Sequence, residues 1–230
     1  MPSKKIHLKQ LSKSGKASMS LQERILFLRG AVKNIHQVGS VLPSSQAVAQ
    51  RMTQMMRQRP APRRILEVGA GTGPITARIV QEMEPGDHLD IYEIDPKFTA
   101  FLAERFTKEP AFQRVAHQVT IRTASVETIE PQAQYDIIIS AVPFTNLPPE
   151  AVRTFFETYR TILKPDGVLT YIEFIFGRAI LRIFSRKDAK KRLKGVDTVV
   201  RRYVDTYEVK KQIVPFNAPP ARIRSLRFDE

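Results

Sequence analysis

The chain has no cysteine among its 230 residues, which excludes disulfide frameworks, thiolate zinc sites and cysteine nucleophiles. Its four histidines are scattered and fall in neither HxxxH nor HxH spacing, so a metal centre is not expected. No run approaches the roughly 18 uncharged apolar residues that a membrane span requires. The opening MPSKKIHLKQLSKSGKASMS also lacks the apolar stretch of an export signal. A cytoplasmic protein that is not integral to a membrane is predicted. Acid is missing too: residues 1 to 22 hold five lysines and no Asp or Glu.

What is present is basic and unevenly placed. Residues 178–194, RAILRIFSRKDAKKRLK, carry eight Lys or Arg against Asp188 alone. These two segments hold +5 and +7 of the net +14, leaving a near-neutral body. Two basic appendages on such a body point to an anionic partner, either a phospholipid surface or nucleic acid, or else to a solvated, solubilising face.

The 42% hydrophobic content suits one compact domain with an appendage. Three stretches are expected: a basic tail over 1–19, a helical segment over 20–60 serving as membrane or substrate lid, and a main domain over 61–230. Leu21, Ile25, Leu28, Val32 and Ile35 recur at helical spacing. Ser44 or Ser45 is placed to cap a second helix over about 46–58. From Arg64 onward, short apolar runs alternate with helical patterns. Strands are expected at ILEVG, HLDIYEI, VTIRT, YDIIISAV and GVLTYIEFI, with helices over 74–84, 96–108 and 149–163. That alternation predicts an α/β fold with a mostly parallel sheet covered on both faces. TVVRRYVDTYEVKKQIV (198–214) reads as one or two further β segments.

Within RRILEVGAGTGPITARI, Gly69, Gly71 and Gly73 sit after a strand and before a helix. Without Cβ atoms the backbone can approach a ligand, and the helix start offers unpaired N–H groups. The spacing is GxGxG, and Pro74 stands where the dinucleotide fingerprint would place its last glycine. No Gly-Lys-Ser/Thr follows, so a P-loop is excluded. Glu67 ends the first strand, and Glu93 ends the second at the distance where a carboxylate accepts ribose hydroxyls. An adenosine-type ligand fits this arrangement.

ILEVGAGTG followed by IYEID resembles the first two motifs of class I S-adenosylmethionine-dependent methyltransferases. The resemblance implies a Rossmann-like, seven-stranded, mostly parallel sheet whose last strand is antiparallel, with S-adenosyl-L-methionine as cofactor. It places the methionine portion on Gly69, Ala70, Gly71 and Gly73 near Glu67, and the ribose on Glu93 beside Ile94. Ser125 stands where an Asp usually meets adenine, and Ser140 ends the fourth strand.

The stretch SAVPFTNLPPE resembles the Ser-Gly-Leu-Pro-x-x-Asn-Phe-Pro of bacterial phospholipid N-methyltransferases, which act on phosphatidylethanolamine. Ser140, Pro143, Asn146 and Pro148 match, Ala141 replaces glycine, and Leu147 replaces an aromatic. The likeness extends to QVGSVLPSSQAVAQRM (37–52) and NAPPARI (217–223). Pro143, Phe144, Asn146 and Tyr171 are the candidate catalytic residues: Asn146 to orient the headgroup, Phe144, Tyr171 and Phe174 to line the site with ring faces for the alkylammonium, and Tyr171 or Glu173 to accept a proton. The Asn-Leu-Pro-Tyr/Phe motif of ribosomal RNA adenine dimethyltransferases fits less well, because Ala141 takes the place of its Asn. Expected partners are a lipid substrate and an anionic membrane surface contacted through 1–35 and 178–194. Another aminolipid such as ornithine lipid, an RNA substrate, or a noncatalytic binding module are the alternatives.

Overall fold

The computed structural model describes residues 46–175, 187–217 and 220–228, without the side chains of 187–189. The tail over 1–19, the amphipathic pattern from Leu21 to Ile35, the Ser44/Ser45 cap and the first nine residues of the basic 178–194 segment lie outside these.

Seven strands form one sheet in the order β3-β2-β1-β4-β5-β7-β6. They are β1 (Arg64–Val68), β2 (His88–Glu93), β3 (Val119–Thr123), β4 (Tyr135–Ser140), β5 (Leu163–Phe174), β6 (Glu208–Val214) and β7 (Ala221–Leu226). β1 through β5 pair in parallel, and β7 runs antiparallel between β5 and β6. The helices are α1 (Gln46–Met52), α2 (Pro74–Glu82), α3 (Pro96–Lys108), α4 (Pro110–Gln113), α5 (Pro149–Ile162) and α6 (Lys187–Tyr207). The α/β class and the antiparallel last strand are as expected.

Each face of the sheet buries its own apolar cluster. β4, YDIIIS, is buried at every position, as a central parallel strand covered on both sides must be. Ile138 joins Phe155, Phe156 and Tyr159 on the α5/α6 face, while Ile137 and Ile139 join Ile75 and Ile79 on the α1/α2/α3 face. Such side chains contribute about 1.5–3 kcal/mol each when fully buried. β6 differs: its exposure alternates, with Val209 and Ile213 exposed, the pattern of an edge strand whose neighbours lie on one side only.

Two expectations about elements need correction. The helix expected over 46–58 breaks at Met52 and resumes as a 3-10 turn over Gln54–Gln58, where the Thr53 hydroxyl donates to Ala49 O. The β segment expected from Thr198 begins only at Glu208, because residues 198–207 continue α6. Val196, Val199, Val200 and Tyr203 are buried at i, i+3, i+4 and i+7, a helical period that the β-branched composition had masked. Tyr203 stacks on Phe156 of α5 with ring centroids 4.5 Å apart and planes 14° from parallel. Its hydroxyl donates to Glu157; burial first, and that bond second, push the phenol up to about 12.

The register positions the site. Val68 pairs with Tyr92 and Ser140, Ser140 with Tyr171, and Tyr171 with Arg224. The carboxyl ends of β1, β2, β4 and β5 therefore lie in one row, the edge at which ligands bind in open α/β sheets.

Candidate active site

The glycine loop turns because each glycine adopts a left-handed conformation: φ is 75° at Gly69, 57° at Gly71 and 81° at Gly73. The last two are glycine for different reasons. A Cβ on Gly73 would lie 2.6 Å from Leu102 Cδ2 of α3, so the packed Leu102 would have to shift, on top of the left-handed φ. A Cβ on Gly71 would meet no protein atom within 4 Å, so here the requirement is backbone conformation and room for a ligand's close approach. Arg105 of α3 fixes the loop, donating from Nη1 to Thr72 O (3.1 Å) and Gly73 O (3.0 Å). Arg105 was not among the sequence candidates; its only sequence signal is Glu109 four residues on, with which it forms an ion pair.

Two buried carboxylates flank the loop. Glu93 Oε2 accepts from Gly71 N (2.9 Å) and Oε1 from Asp95 N (3.0 Å). Burial raises its proton affinity, and the amides of Asp95, Gly71 and Ile94 oppose that rise. Glu67 is 0% exposed, and burial pushes its carboxyl up to about 8, with the charge of Glu93 adding to the effect. The Thr76 hydroxyl and amide face it from the first turn of α2 and partly offset burial. Among the described residues, however, no hydrogen bond of ordinary geometry closes on either Glu67 oxygen or on Thr76 Oγ1. A buried polar group left without a partner costs about 1–3 kcal/mol, and more when charged. Such an arrangement suits a site completed by a cationic ligand.

The serines are already engaged. Ser125 Oγ donates to Glu127 Oε2 (3.3 Å) and accepts from Glu127 N (3.4 Å), capping the turn over Val126–Thr128. Ser140 Oγ lies 2.9 Å from Tyr159 OH, both groups fully buried. That leaves the backbone, rather than the hydroxyl, of Ser140 to face the row of strand ends.

Beyond β4, Pro143 leads into a 3-10 turn over Phe144–Asn146. Val142 closes against Gly69, its Cγ2 falling 3.4 Å from where a Cβ would stand there, so this loop abuts the glycine loop. Asn146 is half-buried; its backbone N–H donates to Pro143 O (2.9 Å), while its side-chain amide makes no hydrogen bond to the described residues. Phe144 and Tyr171 depart from the expected aromatic lining: both are buried, their centroids 5.5 Å apart, in a cluster with Phe156. Phe174 packs against the opposite face of the sheet. The Tyr171 hydroxyl donates to Glu173 Oε1 (3.2 Å), and Glu173 is ion-paired with Arg222 (3.5 Å) and Arg224 (3.4 Å) of β7. These arginines escaped the sequence reading because the pairing of β7 with β5, not proximity in the chain, brings them there.

A sheet of this order, a glycine turn between β1 and α2, and acids ending β1 and β2 define a class I S-adenosylmethionine-dependent methyltransferase, and the chain belongs to that family. A methyltransferase-domain family matches residues 65–167. Among curated proteins, the chain is 30% identical over 169 residues to an ornithine lipid N-methyltransferase from Singulisphaera acidiphila, covering 71% of this chain and 86% of that protein. Solved structures of like fold include an O-methyltransferase from Bacillus cereus in complex with S-adenosylhomocysteine (TM-score 0.63, 14% identity, 88% of this chain and 90% of that one). A second is a tomaymycin-synthesis O-methyltransferase from Streptomyces achromogenes in complex with S-adenosylmethionine (TM-score 0.62, 18% identity, 87% and 89%). The cofactor is S-adenosylmethionine.

Proposed function

We propose that the protein transfers methyl groups to the amine headgroup of a membrane lipid, phosphatidylethanolamine or ornithine lipid, while bound peripherally at the cytoplasmic face of an anionic membrane. The observation that carries this reading is the likeness to the ornithine lipid N-methyltransferase over most of both chains. The SAVPFTNLPPE loop and the placement of charge agree with it. Among the described residues no helix is long and apolar enough to cross a membrane. Basic segments over 1–35 and 178–194 would supply attachment, each Lys or Arg near an anionic surface adding about 1 kcal/mol.

Bound S-adenosylmethionine supplies an electrophilic methyl on a sulfonium. In this reading the Gly69–Gly73 backbone, with Ala70, cradles the methionine portion, and Glu67 gains the cation it lacks. Glu93 retains lone pairs for the ribose hydroxyls after accepting from Gly71 and Asp95. Ile94 and the turn at Ser125 border the base. Asn146, its side-chain amide uncommitted among the described residues, orients the incoming headgroup, and Pro143 and Phe144 hold the turn that presents it. The protein's task is alignment and exclusion of water. Burial beside a like charge favours the neutral amine that must attack.

The test is methyl transfer from radiolabelled donor, with vesicles containing phosphatidylethanolamine or ornithine lipid and with RNA as separate acceptors. Label entering the chloroform phase is expected; label entering RNA, or neither acceptor, would overturn the reading. Asn146→Ala should lower kcat about tenfold, the cost of one positioning hydrogen bond, while S-adenosylhomocysteine affinity in calorimetry stays within about twofold.

A further inference from the structure

Next to Tyr171, on the α5/α6 face at the carboxyl end of β5, the structure holds a cavity of about 260 Å³ lined by Glu173, Asp197, Val200, Arg201, Arg222 and Arg224. Asp197 and Arg201 also line an adjoining groove of about 590 Å³ that adds Lys190 and Lys194. Small-molecule pockets begin near about 300 Å³, so the inner cavity suits a headgroup rather than a whole lipid. Among the described residues, five cations and two carboxylates line these two spaces. Glu173 is the inner acid, held by the Tyr171 hydroxyl and by both β7 arginines. Arg224 also pairs with Glu208; burial works against its charge, and these acids more than restore it. Among the described residues, Arg222 Nε is buried without a hydrogen-bond acceptor, Arg224 Nε meets Glu173 only as an ion pair at 3.4 Å, and Arg201 is an exposed side chain with no ion partner there. Donor capacity among the described residues therefore exceeds what the acids there use.

We propose that this cavity binds the anionic half of a zwitterionic aminolipid headgroup: Arg201, Arg222 and Arg224 hold the anion, and Glu173 faces the ammonium end. The inference deepens the lipid N-methyltransferase reading and rests on it. Contact geometry links the cavity to the donor loop. Gly69 abuts Val142, Phe144 of the same loop packs on Tyr171, and Tyr171 bonds Glu173. A phosphodiester and an α-carboxylate present the same chemistry, an anion a short spacer away from a primary amine. Arginine forks bind either through charge-assisted pairs.

The experiment compares the full chain with Arg201→Ala, a surface change that leaves the fold alone, and with Arg201→Ala/Arg222→Ala. Calorimetry in the presence of S-adenosylhomocysteine uses two soluble probes, glycerophosphoethanolamine for the phosphodiester and Nα-acetylornithine for the carboxylate. Kinetics in mixed micelles use the aminolipid and a long-chain alkylamine that carries no anion. Expected are tighter binding of one probe, naming the headgroup, and an aminolipid KM raised about tenfold per lost arginine. Donor affinity should not move, activity on the alkylamine should fall less than activity on the aminolipid in each variant, and Arg222→Lys should recover part of the binding. Wild-type affinity for both probes in both variants, or no binding of either probe to the wild type, would overturn the subsite. If no lipid is methylated yet a probe binds through these arginines, the lipid reading fails and the anion site stands. If lipid is methylated with KM unchanged in the variants, the reverse holds.

Discussion

Asp87 and Glu67 are buried carboxylates at opposite ends of the same sheet, and their surroundings could hardly differ more. Asp87, just before β2, accepts from Arg63 N (2.8 Å), Arg63 Nη2 (2.6 Å) and Glu84 N (2.9 Å). Arg63 in turn donates to Met56 O and Glu82 O, and these acids hold its guanidinium up against the opposing effect of burial. Nearby, Asp136 is kept low: burial pushes it up, but Arg64 N, Lys164 and Arg59 outweigh that. Both buried carboxylates at this end, Asp87 and Asp136, have cationic partners in the chain. At the other end Glu67 is buried with Thr76 facing it but no hydrogen bond of ordinary geometry closing on it among the described residues, and Arg222 Nε of β7 finds no acceptor among them. One edge of the sheet is finished by folding, and the other by what it binds.

The largest expected effect tests the finished edge. Arg63→Ala leaves Asp87 buried without its cation, held only by two backbone amides, and should cost about 3–5 kcal/mol in urea unfolding without changing donor affinity per folded molecule. A cost below about 1 kcal/mol would erase the contrast. Glu67 sharpens it from the other side. Its folded value near 8 exceeds the ordinary 4.5, so its contribution to stability is complete below about pH 4.5 and is lost as pH rises through 8. Across that window the donor-free protein should lose on the order of 5 kcal/mol from this group. Glu67→Gln should flatten that part of the profile, and equal slopes in the two proteins would refute an unpartnered carboxyl. Glu93→Ala comes third. It removes a carboxylate that both bonds the glycine loop and faces the ribose, and should weaken S-adenosylhomocysteine about 100-fold in calorimetry; unchanged affinity would defeat the assignment. Smallest is Tyr203→Phe, which keeps the stack on Phe156 and loses only a half-buried hydrogen bond. About 1 kcal/mol or less in thermal unfolding is expected.

The donor half of the site was legible in the sequence because its parts are local. Glu67 through Gly73 form one strand-turn-helix unit, and Glu93 ends the next strand, so spacing alone brings them together. β1, β3 and α3 fall within a residue of their expected bounds for the same reason, since period and turn residues are written in consecutive positions. What stayed hidden depends on pairing across the fold. Ser140 reads as a cofactor contact until Tyr159 arrives from α5 to take its hydroxyl. Phe144 and Tyr171 read as lining until the packing of α5 shows both rings enclosed. Arg222 meets Glu173 across 49 positions, a proximity no window of sequence contains. The boundary between α6 and β6 was misread because valines and tyrosines satisfy either period, and only burial against Phe156 selects the helix.

The place of β7 has a consequence for how the chain matures. It follows β6 in synthesis yet lies inside it, bonded to β5 on one side and β6 on the other. As the chain leaves the ribosome, β6 has no docking edge until β7 has also emerged, so the first five strands can assemble as a nascent platform while β6 waits. The donor turn is then shaped early, and the arginine-bearing wall is set by the closing insertion.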